Sequence, residues 1–284
     1  MATFFNQATL SYTGCVTNSN IVTGEIIEVL SATKTAVGTT YSPDGTVTYI
    51  VSIVNSGATA YSGLTVNDDL GAYTVGTTEA VPLEYVNGSL LYYVDGLLQP
   101  TPTVSSVDPL VISGITVPAD SNALIVYEAR VTDEAPLAVG GTITNTVTVN
   151  GGGLSAPITA EETVSVEQTP NLTISKALSP STVVENGELT YTFVIRNSGN
   201  TAAVATDDIV VSDTFDPILN PITVQLDGVT LTEGVDYTYN ELTGEFATVA
   251  GRITVPAATY IQNPETGTVT TVPGTAILRV VGTV

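Results

Sequence analysis

Gly45-Thr-Val-Thr-Tyr-Ile-Val-Ser-Ile-Val-Asn-Ser-Gly57 decides the fold. Val47, Tyr49, Val51 and Ile53 fall on one side of an extended chain, and that two-residue period marks a half-buried strand. The stretch returns 142 residues later as Gly187-Glu-Leu-Thr-Tyr-Thr-Phe-Val-Ile-Arg-Asn-Ser-Gly199, with Leu189, Tyr191, Phe193 and Ile195 in the same places. A pattern repeated at this distance is the mark of two copies of one structural unit.

Working outward, the two lysines of the chain, Lys34 and Lys176, are also 142 residues apart. Val66-Asn-Asp68-Asp-Leu70 matches Val211-Ser-Asp213-Thr-Phe215. Asp95-Gly96 matches Asp227-Gly228, a hairpin-turn signal in both copies. Ile115-Thr-Val-Pro-Ala119 matches Ile253-Thr-Val-Pro-Ala257, and Ala123-Leu-Ile-Val-Tyr127 matches Ala276-Ile-Leu-Arg-Val280. Short runs of Val, Thr, Ile and Tyr separated by Gly, Pro, Asn and Asp fill nearly the whole chain, and no segment carries a capped helical period. The tyrosines fall at alternating strand positions and read as packing or cross-strand pairs, and Asn55 and Asn197, each opening Asn-Ser-Gly, read as turn residues, because that sequence favours left-handed conformations. The expected fold is all-β, two tandem immunoglobulin-like β-sandwiches.

The copies are unequal. Val284 aligns with Val131, but the first copy continues through Ile143-Thr-Asn145-Thr-Val-Thr-Val149, a Gly151-Gly-Gly153 turn and Ile158 to Val166. That hairpin has no counterpart after the second copy. Its likeness is at the other end: Asn6-Gln-Ala-Thr-Leu10 resembles Asn145-Thr-Val-Thr-Val149, a turn follows at Thr13-Gly14-Cys15, and Ile21 to Val29 resembles Ile158 to Val166. The expected organisation is a donor hairpin at 1–29, a complete sandwich at 30–166, a linker at 167–170, and a sandwich at 171–284 lacking its last two strands. An incomplete sandwich exposes apolar surface and strand edges, and a lone hairpin is marginally stable. The second sandwich is therefore expected to be completed by the N-terminal hairpin of another subunit, as donor-strand complementation. Burial of roughly six to eight apolar side chains would supply about 10–20 kcal/mol before ordering costs. The plainer alternative is an extension that packs on its own domain or stays mobile.

Composition narrows function. The 284 residues hold 28 acidic and 6 basic side chains, no histidine and one cysteine, with a formal charge of −22. Such a charge disfavours nucleic acid and anionic membranes as partners. Without histidine there is no Ser-His-Asp triad and no histidine-ligated metal. Cys15 alone excludes an intrachain disulfide, though it is available for an intersubunit one. Asp68-Asp69 and Asp207-Asp208 lack the spacing of a calcium loop. No cofactor and no metal are expected. No run has membrane-spanning length, and the start of the chain lacks a Sec-type signal pattern. The expectation is use without Sec export, or a trimmed chain.

The lysines carry the chemistry. Each lies in the first strand of its copy, Asp68 and Asp213 begin the turn after a central strand, and Asn145 and Asn6 lie in the hairpins that complete the two sandwiches. A buried lysine becomes a neutral nucleophile and a buried acid holds a proton. Attack of the amine on an asparagine amide, with loss of ammonia, leaves an isopeptide bond. Asp68 and Asp213 would serve as proton shuttles. Two other readings stay open: a lysine–aspartate ion pair, and plain exposure.

Thr-Ile-Ser-Lys176, Leu-Thr-Tyr191 leading to Asn197-Ser-Gly199, Val-Ser-Asp213 and Ile-Thr-Asn145-Thr-Val-Thr-Val resemble the bacterial surface repeat catalogued as domain of unknown function eleven. The resemblance covers essentially the whole chain. It implies immunoglobulin-like domains, many with a lysine and an asparagine suited to isopeptide formation, as in Gram-positive pilins and adhesins. Carried over by position, it implies Lys34–Asn145 with Asp68 within the chain, and Lys176 with Asp213 and the Asn6 of a neighbouring subunit. Size and the two-repeat arrangement are similar to the major proteins of clostridial spore appendages, which assemble in the mother cell. The expected function is a structural subunit that polymerises head to tail on a bacterial spore or cell surface. Its partners would be itself and an anchoring protein. It would not be an enzyme beyond autocatalytic cross-linking. The alternative is a ligand-binding adhesin module. With no tryptophan, a sugar-stacking platform is not evident.

Overall fold

In the computed structural model, which describes residues 2–26 and 29–284, the chain is all-β, and the one helical piece among them is a single 3-10 turn at Ala205–Asp207. Residues 30–166 form two six-stranded sheets enclosing one core. The first sheet runs Leu97–Leu98, Leu91–Val94, Ser121–Val131, Thr46–Asn55, Leu30–Ala36, with Leu83–Tyr85 also on Ser121–Val131. The second runs Thr103–Val107, Leu110–Val117, Tyr61–Asp68, Thr142–Gly151, Ile158–Val166, Thr40–Tyr41. Pairing is antiparallel except between Thr40–Tyr41 and Ile158–Val166. The alternation in Thr46–Asn55 is realised as drawn: Val47, Tyr49, Val51, Ile53 and Asn55 are buried and the residues between them are not. They meet Leu64, Val66, Ile112, Ile115, Val147 and Val149 from the opposite sheet.

The second copy builds its own core around Tyr191, Phe193, Ile195, Phe215, Phe246, Leu278 and Val280. Its first sheet repeats the strand order of its counterpart, as Leu172–Ser179, Glu188–Asn197, Gly274–Thr283, Ile222–Leu226, Val229–Thr230. Its second sheet has three strands, Tyr237–Tyr239, Glu245–Thr248 and Ser212–Thr214. It stops at the strand that corresponds to Tyr61–Asp68. In the first copy that strand pairs on its far side with Thr142–Gly151. In the second copy the far side of Ser212–Thr214 has no strand partner among the described residues.

The lysine strand of the second copy is bare. Leu30–Ala36 alternates, with Leu30 and Lys34 buried and Ala32 and Ala36 half-buried. Its counterpart Leu172–Ser179 is exposed at every position, so Leu172, Ile174, Lys176 and Leu178 form a bare inward stripe.

Residues 2–26 form a hairpin that pairs only with itself among the described residues: Ala2–Asn6 with Val22–Ile26, and Thr9–Tyr12 with Cys15–Asn18. Its turn, Thr13-Gly14, has positive φ at both residues, as do Asp95-Gly96 and Asp227-Gly228, the geometry of a tight two-residue hairpin loop. Phe4, Asn6 and Val22 share one face of the outer pair of strands, Leu10, Tyr12 and Cys15 share one face of the inner pair, and the Phe4 ring lies over Gly24, where any Cβ would strike it. The hairpin differs from Thr142–Val166 in register: Asn6 faces Val22, whereas Asn145 faces Glu162. Two residues close the turn, against the longer 152–157 loop of the first sandwich, and the register shifts once more between the Thr9–Asn18 and Asn6–Val22 pairs, so only the first arm keeps the alignment.

The copies touch. Asn200 Nδ2 donates to the carbonyls of Leu137 (3.1 Å) and Glu167 (3.0 Å). A hairpin present only in the second copy, Thr259–Gln262 with Val269–Val272, lays Tyr260 and Val269 on the first core, and the Val269 amide donates to the Asp133 carbonyl at 2.6 Å.

Candidate cross-linking site

The inward period of Leu30–Ala36 points Lys34 into the first core, where an unpaired ammonium would be very costly. Asp68, the last residue of Tyr61–Asp68, meets it: Lys34 Nζ donates to Asp68 Oδ2 at 2.6 Å, with the two side chains 0% and 1% exposed. The ammonium lies 4.7 Å above the Tyr49 ring and 5.9 Å from that of Tyr127. These rings stack 5.7 Å apart. The Tyr127 hydroxyl donates to the same Asp68 oxygen. Asp68 Oδ1 accepts from the Leu70 amide at 3.0 Å. Asp68 faces Val147 across the sheet, which puts Asn145 on the same inner face. Asn145 Nδ2 donates to the Tyr127 hydroxyl at 3.4 Å, and its Oδ1 is buried with no partner.

Lysine comes from one sheet, aspartate and asparagine from the other, so a Lys34–Asn145 bond would tie the two sheets covalently. Burial lowers the Lys34 pKa from its ordinary 10.5 although Asp68 pulls the other way. That favours the neutral amine the chemistry needs. Burial, reinforced by Asp68, raises Tyr127 well above its ordinary value.

The second site is half of the first. Lys176 Nζ donates to Asp213 Oδ2, with the side chains 41% and 19% exposed. The rings of Tyr191, Phe193 and Phe215 lie 4.4, 5.5 and 5.7 Å from the ammonium. Among the described residues no asparagine is hydrogen-bonded to this pair. Val280 faces Tyr191 across the strands as Tyr127 faces Tyr49, so the second hydroxyl is lacking too. Asn6 stands exposed on the free hairpin.

Sequence reading missed Tyr127, taken with the other tyrosines as packing or cross-strand pairs. The signal was the repeat itself, which aligns the hydroxyl of Tyr127 with the methyls of Val280. Asn55 and Asn197 read as left-handed turn residues, yet neither has positive φ. Both are buried struts. Asn55 Nδ2 donates to the carbonyls of Thr59 (2.8 Å) and Pro118 (2.7 Å) while its Oδ1 accepts from the Gly57 amide (3.0 Å). Asn197 Nδ2 donates to Thr201 and Pro256 carbonyls. Of the acidic pairs, Asp69 Oδ1 accepts from the Gly71 and Thr146 amides, both at 2.8 Å, and Asp207 accepts from the Val204 amide. Among the described residues no group of three or more metal-ligating side chains stands together. Cys15 is an exposed free thiol.

Fold and site together describe an immunoglobulin-like all-β protein with one closed lysine–aspartate–asparagine cluster and one open lysine–aspartate pair. No family model matches the chain, and no curated protein does. Among solved structures it is similar to the pilus backbone RrgB of Streptococcus pneumoniae, at 13% identity and a TM-score of 0.36 over 86% of this chain and 55% of that one. The chain thus spans about half the length of that protein. A 35 kDa C-terminal fragment of the major pilin GBS80 of Streptococcus agalactiae matches at 11% identity and a TM-score of 0.35, over 81% of this chain and 79% of that one. The collagen-binding domain of a Staphylococcus aureus adhesin matches at 14% and 0.31, over 49% and 99%.

Proposed function

We propose that the chain is the structural subunit of a fibre on a bacterial cell or spore surface, polymerised head to tail. The hairpin 2–26 of one copy fills the open edge of the second sandwich of the next. One observation carries the reading: the lysine strand is covered by its own hairpin in the first sandwich and bare in the second, while a hairpin with the same inward pattern stands free. Ile143, Asn145, Val147 and Val149 point inward from Thr142–Gly151. Phe4, Asn6, Ala8 and Leu10 repeat that series. Transferring the pairings of the first sandwich sets Ala8 beside Asp213, Thr9 beside Ser212 and Leu10 beside Val211.

A hairpin at one end and a groove at the other make a heterologous contact, which propagates into an open filament unless it closes into a ring. Once seated, Asn6 takes the place beside Lys176 that Asn145 takes beside Lys34. Isopeptide bonds then form at both sites, Lys34–Asn145 within each chain and Lys176–Asn6 between chains. Fixed geometry supplies the effective concentration so slow an amide exchange requires.

Electron microscopy and intact mass test this together. Filaments, a monomer mass short of one ammonia, and ladders that survive boiling in detergent are expected. Lys176→Ala or Asn6→Ala should abolish the ladders. Dispersed particles at full calculated mass would refute the proposal.

A further inference from the structure

Four buried atoms of the first sandwich stand in one line of hydrogen bonds. Lys34 Nζ donates to Asp68 Oδ2 at 2.6 Å, the Tyr127 hydroxyl bonds the same oxygen, and Asn145 Nδ2 bonds that hydroxyl at 3.4 Å. The first atom is the nucleophile of the exchange proposed above, and the last is its leaving group. Asp68 has no hydrogen bond of its own to Asn145; its way to the amide nitrogen leads through Tyr127.

We propose that Tyr127 is a catalytic residue of the intrachain bond, carrying a proton from Asp68 to the leaving nitrogen of Asn145. The inference rests on the reading that Lys34 and Asn145 condense. The steps balance from the uncharged form of the pair, amine and carboxylic acid. Nζ attacks Cγ and the Nζ–Cγ bond forms. Asp68 passes its proton to the Tyr127 oxygen as Tyr127 passes its own to Nδ2. The Cγ–Nδ2 bond breaks and ammonia leaves. Nζ then gives one proton to Asp68. One N–C bond has replaced another, one proton has moved from Nζ to Nδ2, and Asp68 and Tyr127 end as they began.

The environment suits a relay. Tyr127 is almost wholly buried, and its phenol strongly resists ionisation there, so it hands a proton on without holding a charge. An amide nitrogen is a poor leaving group until it is protonated, which is where a positioned acid acts. The second sandwich has Val280 at this place, and its Lys176–Asp213 pair ends at the carboxylate. Bond formation between subunits therefore proceeds without the relay.

The test follows intact mass during cell-free synthesis of the full chain. The unaltered chain should lose one ammonia, and Tyr127→Phe, which keeps the ring and its stacking on Tyr49, should slow that loss by about 100-fold, the lower end of general acid–base contributions. In the unaltered chain the rate should fall along a curve as heavy water replaces light, because two protons move together. A Tyr127→Phe chain that keeps pace with the unaltered one overturns the relay, as does a linear dependence on deuterium content. The second measurement needs no variant, so it stands even if Tyr127→Phe folds poorly. If the unaltered chain keeps its full mass, the Lys34–Asn145 reading itself fails, and the relay with it.

Discussion

A chain shortened by residues 2–26 should lose polymerisation and become a cap. The contact to be removed can be sized. On the hairpin, the apolar side chains that would seat, Phe4, Leu10, Tyr12 and Val22, are 51–61% exposed; in the groove, Leu172, Ile174 and Leu178 are 36–56% exposed. Covering these seven half-exposed side chains is worth about half of the full-burial figure of roughly 1.5–3 kcal/mol each, so about 5–10 kcal/mol in all. Strand pairing along Val211–Asp213 adds about 1 kcal/mol per hydrogen bond. The shortened chain forfeits all of this as a donor and none of it as an acceptor, because its groove is untouched. Added to full-length protein, it should occupy one filament end and stop growth there. Mean filament length, read by electron microscopy, should fall towards the ratio of full-length to shortened chains. Alone, the shortened chain should sediment as a monomer. Undiminished filament length in the mixture, or filaments of the shortened chain alone, would refute the reasoning, since the hairpin would then not be the connector.

The equivalent lysines should differ sharply in what they contribute to stability. With cross-linking prevented by Asn145→Ala, Lys34→Ala strands a buried Asp68 and should cost about 3–5 kcal/mol, whereas Lys176→Ala at a half-exposed pair should cost less than about 1 kcal/mol; urea unfolding measures both. The pH dependence has a definite sign. Because burial lowers the Lys34 pKa, the unfolded chain binds a proton below 10.5 that the folded chain refuses. The stability of the Asn145→Ala chain should thus rise with pH from the lowered folded value up to 10.5. Subtracting the same curve for Lys34→Met/Asn145→Ala removes the opposite slope of the buried tyrosines, whose raised values cost stability above 10.0. Asn55→Ala and Asn197→Ala should each cost about 2–3 kcal/mol by leaving buried carbonyls and amides unpaired, visible as lower unfolding midpoints.

What was legible in the sequence was whatever depends on the side-chain period and on the repeat. The alternation in Gly45–Gly57 gave the buried faces correctly, and two copies aligned in register gave the correspondence of Lys34 with Lys176 and Asp68 with Asp213. What was not legible depends on loops and on third partners. A two-residue turn at Thr13-Gly14 shifts the second hairpin arm against its likeness, and nothing in Ile21–Val29 reveals that, because turn length and not arm composition sets register. The strut role of Asn55 and Asn197 depends on carbonyls about 60 residues away in sequence, a relation no local propensity encodes. Tyr127 looked like packing because an alternating aromatic usually is.

The two sites share a lysine, an aspartate and a wall of aromatic rings, yet one is closed and the other is open by the width of a hairpin. Amide exchange between lysine and asparagine requires that water be kept out, and in the first sandwich Thr142–Gly151 and Ile158–Val166 keep it out while also supplying Asn145. In the second, water reaches Lys176 across Leu172, Ile174 and Leu178. The element that would exclude it is the same one that would bring Asn6. Cover and reactant arriving on one strand pair would make the proposed bond conditional on docking, because in the structure the Lys176–Asp213 pair is half-exposed and has no asparagine hydrogen-bonded to it among the described residues. A polymer built this way would grow first through reversible apolar seating and become covalent only where seating is correct. A hairpin lodged one residue out of register turns its apolar face to solvent and carries Asn6 away from the lysine.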